Sequence, residues 1–538
     1  MFKFLRLSAV ALATAYLAAC GAASSQTGIT STSTSRGTLA ESPPFRIASL
    51  DAASFQSELA ATATGAQLLE ITGTPLCGVD FYYVKFWTVG GAGETTESSG
   101  ALMVPTGAAP KCSGPRPIVE YAHGTNPNKA LNIADVTNAS NTEGVLIAAM
   151  FAAQGYIVVA PNYAGYDIST LGYHPFLNAA QQSGEMMDIL AAARTALPAT
   201  LSSATSDNGQ LFITGYSEGG HVAMATLRAM QAAGKTVTAA APMSGPYALE
   251  AFGDTVFLGG VNIGSTEFAP LLVSSYQHAY GNVDSTTDPV FSSSYAGAEA
   301  LLPSDTPIDT IFEEGMLPET ALFDSTTPVV SIPGQAQLSG ELTALLAVPP
   351  TPALPLSAET PIFQLGFGNP YLINNAFRVS YAEDALTDPD GALTTPTPTP
   401  GLPLAAVKPT QGLRQDFYLN DMRSGWYPKV PTLLCGGDQD PTVFFDLNTE
   451  TMVAYFSALT AGAVTLPVLD VNATTPGSPF EPLQVAFQES EAAELAYLQT
   501  AAGGGLTLAA AEAQVIEGYH SAVAPFCAAG ARAFFAEF

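Results

Sequence analysis

The chain has 538 residues, of which 47% are hydrophobic and 12% are charged. This is enough apolar material for one large domain or several smaller ones, and too little charge for a mainly disordered chain. Seventeen Lys and Arg oppose 47 Asp and Glu, and the resulting net charge of −30 argues against nucleic acid as a partner because such a surface repels phosphate.

The N-terminus has the pattern of a signal peptide. Two cations precede the apolar run Leu7–Ala19, which is shorter than the roughly 20 residues needed to span a bilayer core. The run ends in Leu17-Ala18-Ala19-Cys20, which resembles the lipobox of bacterial lipoproteins. The resemblance implies a lipid on Cys20 and, because Gly21 follows rather than Asp, an outer-membrane lipoprotein that faces the periplasm or the exterior. Ordinary cleavage, with Cys20 incidental, is the alternative.

Beyond residue 44 the chain is typical of a hairpin followed by alternating strands and helices. The segments Phe81–Val89 and Ala101–Pro105 flank a turn rich in Gly, Glu, Thr and Ser, which predicts an antiparallel hairpin that opens the fold. Short apolar strands then alternate with amphipathic helices, which predicts a mostly parallel sheet with helices on both faces. These strands are Pro117–Tyr121, Tyr156–Ala160, Leu211–Gly215 and Val237–Pro242; the helices are Gly144–Gln154, Asn178–Leu197 and Glu218–Ala233.

A long segment without a steady period, residues 248–425, interrupts the alternation. The strand–helix pattern resumes at Val430–Cys435 and ends in a helix over Ser521–Phe534. We therefore predict one α/β domain with a large insertion, the cap, although a chain of this length could also hold a separate second domain. The predicted organisation is a signal peptide (1–19), a lipidated Cys and flexible tether (20–44), a first core part (45–247), the cap (248–425) and a second core part (426–538).

Gly215-Tyr216-Ser217-Glu218-Gly219 fits the pattern G-x-S-x-G. The motif alone is a weak signal, but here it follows an apolar strand and opens an amphipathic helix, the setting of a nucleophile elbow. Ser217 would present its hydroxyl above the sheet edge at a helix N-terminus, which favours negative charge. A Gly-rich turn with an idle serine is the alternative.

A serine nucleophile needs a base, and the base needs a carboxylate to orient it. Among the five histidines, only His520 lies beyond the cap, next to the apolar pair Val515-Ile516, which we interpret as strand-like. Upstream, Asp440 fits the spacing G-x-x-D-x-x-V after the strand Val430–Cys435, and Asp438 is its competitor.

Backbone donors for an oxyanion are predicted at two loops. Tyr121-Ala122-His123-Gly124-Thr125 follows an early strand, which assigns the first N–H to Thr125 and leaves His123 a structural role. The second N–H belongs to Glu218, directly after the nucleophile.

These strings resemble α/β-hydrolase serine esterases and lipases. Pro161-Asn162-Tyr163-Ala164-Gly165 and His174-Pro175-Phe176-Leu177 look like the PDYxG and HPYL signatures of secretory lipases of the lipase A type, except that Asn162 stands where that pattern has Asp. The resemblance covers about residues 80–245 and 430–538 and leaves the cap undefined.

Five cysteines are present, and without Cys20 an even number remains, as expected in an oxidising compartment. Asp440 and His520 must be close for a triad to work, so we predict a Cys435–Cys527 disulfide beside them. Cys77 and Cys112 flank the hairpin and form the second predicted pair. Four reduced, buried thiols are the alternative.

The sequence therefore predicts a lipid-anchored serine hydrolase that cleaves carboxylic esters through an acyl-enzyme on Ser217. We expect no metal and no cofactor, since no ligand cluster, phosphate loop or dinucleotide motif is present. A peptidase of the prolyl-oligopeptidase type and a polyester depolymerase are alternatives within the fold. A non-catalytic surface lipoprotein is the alternative from another class.

Overall fold

The computed structural model describes residues 35–538 apart from 139, 198–200, 202–203, 286–288, 351–359, 395–401, 461 and 501–504. The predicted signal peptide, Cys20 and most of the predicted tether lie outside these residues. Within the described part of the chain, no helix is long and apolar enough to cross a membrane.

In the described residues, nine strands form one sheet. They are β1 (Phe45–Leu50), β2 (Gly78–Val89), β3 (Thr95–Thr106), β4 (Gly114–Ala122), β5 (Ile157–Pro161), β6 (Thr205–Tyr216), β7 (Ala239–Met243), β10 (Leu434–Gly436) and β11 (Val468–Asp470). The spatial order is β1-β2-β3-β5-β4-β6-β7-β10-β11. The first three strands and their junction with β5 are antiparallel, and every later pairing is parallel.

Helices cover both faces of this sheet. Those of the core are α1 (Ala52–Ala60), α2 (Ala63–Thr72), α3 (Thr142–Met150), α4 (Ala179–Ala196), α5 (Glu218–Ala232), α14 (Thr451–Thr460), α15 (Glu481–Thr500) and α16 (Leu508–Phe535). One hydrophobic cluster packs α3 and α16 against the sheet, and another packs α4 and α5 against the opposite face. The predicted fold class, a mostly parallel sheet with helices on both faces, is confirmed.

The predicted hairpin is present but does not open the fold. β2 and β3 pair from Gly78 with Thr106 to Val89 with Thr95, so both strands are longer than predicted. β1, α1 and α2 precede them. β1 is an edge strand with no buried residue, so it lacks the apolar alternation that marks a strand in sequence. The predicted tether (20–44) is also too long, because Leu39 is buried and bridges to Phe86 of β2.

The segment between β7 and β10 forms the cap. Its helices are α6 (Leu249–Phe257), α7 (Ser265–Ala279), α8 (Ile308–Glu313), α9 (Ala336–Leu345), α10 (Thr360–Phe363), α11 (Asn375–Thr387), α12 (Gly391–Thr394) and α13 (Gly412–Asn420). A two-stranded sheet, β8 (Phe323–Asp324) with β9 (Phe367–Gly368), completes it. The cap has a hydrophobic cluster of its own, to which Leu177 and Phe176 of the core contribute.

Buried arginines hold the cap helices together. Nε of Arg414 on α13 lies 2.8 Å from Oδ1 of Asp254 on α6, and its Nη1 lies 2.8 Å from Oδ2 of Asp384 on α11. Arg423 similarly pairs with Asp390 and Asp421, each at 2.7 Å. Breaking one partner of such a buried pair leaves an uncompensated charge, so these contacts fix the packing of α6, which borders the site described below.

The end of the chain differs from the prediction. Val515-Ile516 is not strand-like: α16 runs unbroken from Leu508 to Phe535, with Pro525 inside it. Gly518 lies between the apolar pair and Tyr519 but does not end the helix, because Val515, Ile516, Tyr519 and Val523 recur at helical spacing. His520 therefore projects from the middle of a long helix rather than from a loop before a short one.

Glu120 on β4 is a buried acid without a partner. Neither carboxylate oxygen has a hydrogen-bond partner among the described residues, and burial raises the pKa of Glu120 to about 8 despite the opposing effect of Arg194. In the unfolded chain its pKa would be the ordinary 4.5. Between these two values the folded state binds more protons, so stability falls as pH rises through this range.

We predict that Glu120→Gln removes this dependence. The variant should unfold like the wild type near pH 4, where Glu120 is protonated in both states, and should be more stable by roughly 2–4 kcal/mol above pH 8. Urea unfolding at a series of pH values measures this difference. If the free energies of unfolding of Glu120→Gln and the wild type differ by the same amount at pH 4 and at pH 8.5, Glu120 is not a neutral buried acid.

Candidate active site

Ser217 lies at the turn between β6 and α5 with φ at +60°, in the left-handed region that non-glycine residues rarely adopt. Its N–H donates to the main-chain oxygen of Met243 at 3.0 Å. A Cβ on Gly215 or Gly219 would collide with the main chain of Ala122, so the flanking glycines allow the close approach that the turn requires. This is the strained strand–turn–helix geometry expected of a nucleophile elbow.

His520 and Asp440 are brought together across the cap insertion. Nδ1 of His520 lies 2.6 Å from Oδ2 of Asp440, which is buried and whose Oδ1 accepts the N–H groups of Thr442 and Val443 at 2.9 and 3.1 Å. Nε2 of His520 has no hydrogen-bond partner among the described residues, so a bond from Ser217 is not formed. Such bonds are often long before a substrate binds.

Asp438, the competing carboxylate, lies elsewhere. It is exposed, and its Oδ1 accepts from Nδ2 of Asn472 at 2.9 Å while its N–H donates to Asp470. The residue preceding Ser217 also contacts the histidine: the Tyr216 hydroxyl donates to the main-chain oxygen of His520, and the two ring centres are 5.0 Å apart. The geometry therefore joins His520 to Asp440 and not to Asp438.

The two predicted oxyanion donors, Thr125 and Glu218, line the same cavity as Ser217. Glu218 is the first residue of α5, and the first N–H groups of a helix have no acceptor within it. In the described residues, no group accepts a hydrogen bond from the N–H of Thr125 or of Glu218. Both are thus available to a ligand atom beside Ser217.

The Glu218 side chain is part of a buried polar cluster that the sequence reasoning missed. Its Oε1 lies 2.7 Å from Nε2 of His174 and accepts from Nε2 of Gln182 at 2.6 Å, while Nδ1 of His174 faces the Ala164 oxygen at 2.9 Å. The HPYL-like string thereby anchors the start of α5. Charged and polar side chains are rarely buried without a partner, so His174 and Glu218, both in apolar surroundings in the sequence, could have been predicted to pair.

Asn162 and His123 brace the loop that carries Thr125. Both ring nitrogens of His123 face main-chain oxygens, of Gly124 at 2.7 Å and of Asn162 at 3.1 Å. The Asn162 amide uses both ends: Nδ2 donates to Ser99 at 2.8 Å and Oδ1 accepts from the N–H of Ile133 at 2.8 Å. An Asp has no donor and could not make the bond to Ser99, so the amide of Asn162, which stands where the PDYxG pattern has Asp, suits this site. His123 has the structural role predicted for it.

The cavity beside Ser217 extends into the cap and is walled mainly by apolar side chains. The helices α6 and α7 supply much of this wall, through Leu249, Phe252, Val256, Phe257, Phe268 and Leu272. Its polar lining residues are few: Thr125, Ser217, Glu218, Asn262, Ser265 and Thr442. Within the described residues, no group of three or more His, Cys, Asp or Glu side chains is placed to hold a metal ion.

Both predicted disulfide pairings are present. Cys435, at the end of β10, is bonded to Cys527 on α16 with Cα atoms 5.6 Å apart. Cys77 is bonded to Cys112 with Cα atoms 5.3 Å apart. The first bridge joins the strand before Asp440 to the helix of His520, so it restrains the two elements that form the acid–base pair.

Residues 145–258, from α3 through the Ser217 turn into the cap, match the prolyl oligopeptidase family. This is a minority of the chain. No curated protein sequence matches the chain.

Several solved structures are similar. The rice cell wall degrading esterase LipA from Xanthomonas oryzae is 24% identical with a TM-score of 0.58, over 85% of this chain and 98% of that one. A candidate hydrolase from Legionella pneumophila is 16% identical with a TM-score of 0.52, over 92% and 96%. Candida antarctica lipase A in its closed state is 14% identical with a TM-score of 0.40, over 81% and 77%. The chain therefore has the α/β-hydrolase fold.

We predict that Asp440→Asn lowers the kcat of ester hydrolysis by about 10³- to 10⁴-fold. The amide oxygen would stay with the N–H groups of Thr442 and Val443, so the amide NH₂ would face Nδ1 of His520, which could then no longer donate there. Asp438→Asn is the matched control, two residues away on the same loop, and should change kcat by less than about threefold. Steady-state hydrolysis of a chromogenic ester measures both. The reverse order of effects would show that the wrong carboxylate is assigned.

Proposed function

We propose that the protein is a serine hydrolase that cleaves carboxylic esters with an apolar acyl group. The observation that carries the proposal is a Ser217 turn that opens onto an apolar cavity and whose Tyr216 contacts His520, the imidazole of which is hydrogen bonded to Asp440 at 2.6 Å. These are the parts that an acyl transfer needs: a nucleophile, a base held in one tautomer, and a dry pocket for the acyl group.

The proposed reaction has two stages. The Ser217 oxygen attacks the ester carbonyl while Nε2 of His520 takes its proton, and the N–H groups of Thr125 and Glu218 stabilise the oxyanion. The C–O bond to the alcohol then breaks, His520 gives its proton to the alcohol, and an acyl-enzyme on Ser217 remains. Water attacks this ester with His520 again as the base, which releases the acid and restores the serine.

A peptidase of the prolyl-oligopeptidase type is the second candidate, and the match of residues 145–258 to that family favours it. The matched segment contains the nucleophile turn, which esterases and peptidases of this fold share. In the described residues, the cap is mainly helical rather than built from repeated sheets. An apolar cavity also fits an acyl chain better than a peptide, whose amides need polar partners.

A polyester depolymerase would share the same chemistry, so substrate length separates it from an esterase of small molecules. Similarity to an esterase described as degrading rice cell wall supports ester cleavage without fixing the alcohol. We place the apolar group on the acyl side because the apolar wall lies beside Ser217.

We predict that p-nitrophenyl esters are hydrolysed, with kcat/KM rising from acetate to medium-length acyl chains, and that a peptide p-nitroanilide is cleaved at least about 10³-fold more slowly. Ser217→Ala should lower ester hydrolysis by more than about 10³-fold. Thermal unfolding of the variant is the control for folding. Faster cleavage of the anilide than of every ester would favour the peptidase.

We further propose that Cys20 anchors the protein to the outer membrane, as the N-terminal sequence indicates. Cys20→Ser should then move the protein from the membrane to the soluble fraction while leaving its kcat on a soluble ester unchanged. Fractionation followed by an activity assay of each fraction measures this. A variant that still sediments with membranes would contradict an anchor at Cys20.

A further inference from the structure

The Glu143 carboxylate lies beneath the loop that carries Thr125. Glu143 belongs to the first turn of α3, and its two oxygens lie 3.1 and 3.2 Å from the N–H of Gly124, which donates to them. Its Oε1 also accepts from the Tyr121 hydroxyl at 2.7 Å. The carboxylate therefore binds the residue directly before Thr125 through a main-chain donor.

Gly124 also lies close to the turn that carries Ser217. A Cβ built on Gly124 would lie 3.6 Å from Cβ of Ser217 and 3.8 Å from Oε2 of Glu143. The Gly124 N–H that Glu143 binds belongs to the peptide between His123 and Gly124, whereas the next peptide, between Gly124 and Thr125, is held at its oxygen, which lies 2.7 Å from Nδ1 of His123. Because the N–H of Thr125 belongs to this second peptide, the two contacts together restrain φ and ψ of Gly124 and hence the direction of that N–H.

The charge of Glu143 cannot itself favour the reaction. Burial raises the pKa of Glu143, whereas His123, the Tyr121 hydroxyl and the Gly124 N–H lower it. The ionised form of Glu143 suits this site, because the Tyr121 hydroxyl and the Gly124 N–H both donate to its carboxylate. A carboxylate near a developing oxyanion opposes that charge, so its presence there is explained by geometry rather than by electrostatic stabilisation.

We infer that Glu143 is the positioning residue of the oxyanion hole, and that it acts by holding the Gly124 amide so that the Thr125 N–H meets the tetrahedral intermediate. The inference rests on the proposed acyl transfer at Ser217.

The experiment compares Glu143→Gln with Glu120→Gln. In the first variant an amide NH₂ would replace an oxygen that faces the Gly124 N–H, so two donors would oppose each other. The second is a matched control: it makes the same change at a buried Glu one residue before Tyr121, on the other face of β4. The measurements are kcat and KM for a p-nitrophenyl ester, and the inhibition constant of an alkyl boronic acid, which forms a tetrahedral adduct on a serine.

For Glu143→Gln we expect kcat to fall about 10- to 100-fold with KM within about threefold, and the boronate inhibition constant to rise by a similar factor as kcat falls. Glu120→Gln should leave all three unchanged. Tyr121→Phe, which keeps the Gly124 contact, should lower kcat less than about threefold and tests the inference even if Glu143→Gln does not fold.

An unchanged or raised kcat in folded Glu143→Gln would overturn the inference, because removal of the negative charge would then be the larger effect. A fall in kcat without weaker boronate binding would also overturn it, as would a loss of more than tenfold in Tyr121→Phe. Ester hydrolysis that persists in Ser217→Ala would instead refute the proposed function.

Discussion

The hydrogen bond between His520 and Asp440 is the contact on which the site depends. It joins the middle of α16 to the loop after β10, two elements that flank the catalytic edge and lie 80 residues apart in sequence. The Cys435–Cys527 bridge ties the same two elements, and the Tyr216 hydroxyl ties α16 to the strand that ends at Ser217. The three contacts together restrain His520 relative to Ser217, which is what the proposed acyl transfer requires of a base and a nucleophile.

Buried carboxylates organise the other half of the site. Glu218 fixes the start of α5 through His174 and Gln182, and Glu143 fixes the loop before Thr125. Each accepts hydrogen bonds from groups that would otherwise be buried without partners. The cap repeats the device with Arg414 and Arg423, whose ion pairs hold the helices that wall the cavity. In this acidic protein, these two buried arginines therefore stabilise the packing of the cap helices beside the cavity.

The parts that follow from local pattern could be predicted from the sequence. Apolar strands alternating with helices gave the parallel part of the sheet, and G-x-S-x-G in that setting placed Ser217 at a strained turn. Chain order and spacing predicted Asp440 rather than Asp438 as the partner of His520, the closeness of these two residues predicted the Cys435–Cys527 disulfide, and the ends of the hairpin predicted the Cys77–Cys112 disulfide. Where the pattern was absent, the prediction was wrong: β1 has no buried residue, and Gly518 and Pro525 interrupt the helical pattern of α16 in the sequence. Glu143 and the cap ion pairs depend on contacts between distant segments, which one sequence does not reveal.

Covalent labelling tests the central claim, that Ser217 is the nucleophile of an acyl-transfer site, most directly. The protein is incubated with an alkyl fluorophosphonate, residual ester hydrolysis is followed, and the modified residue is located by peptide mass spectrometry. The account predicts one phosphonyl group per chain, on Ser217, with activity lost in proportion to labelling. Labelling of another residue in step with the loss of activity, or full loss with Ser217 unmodified, would contradict it.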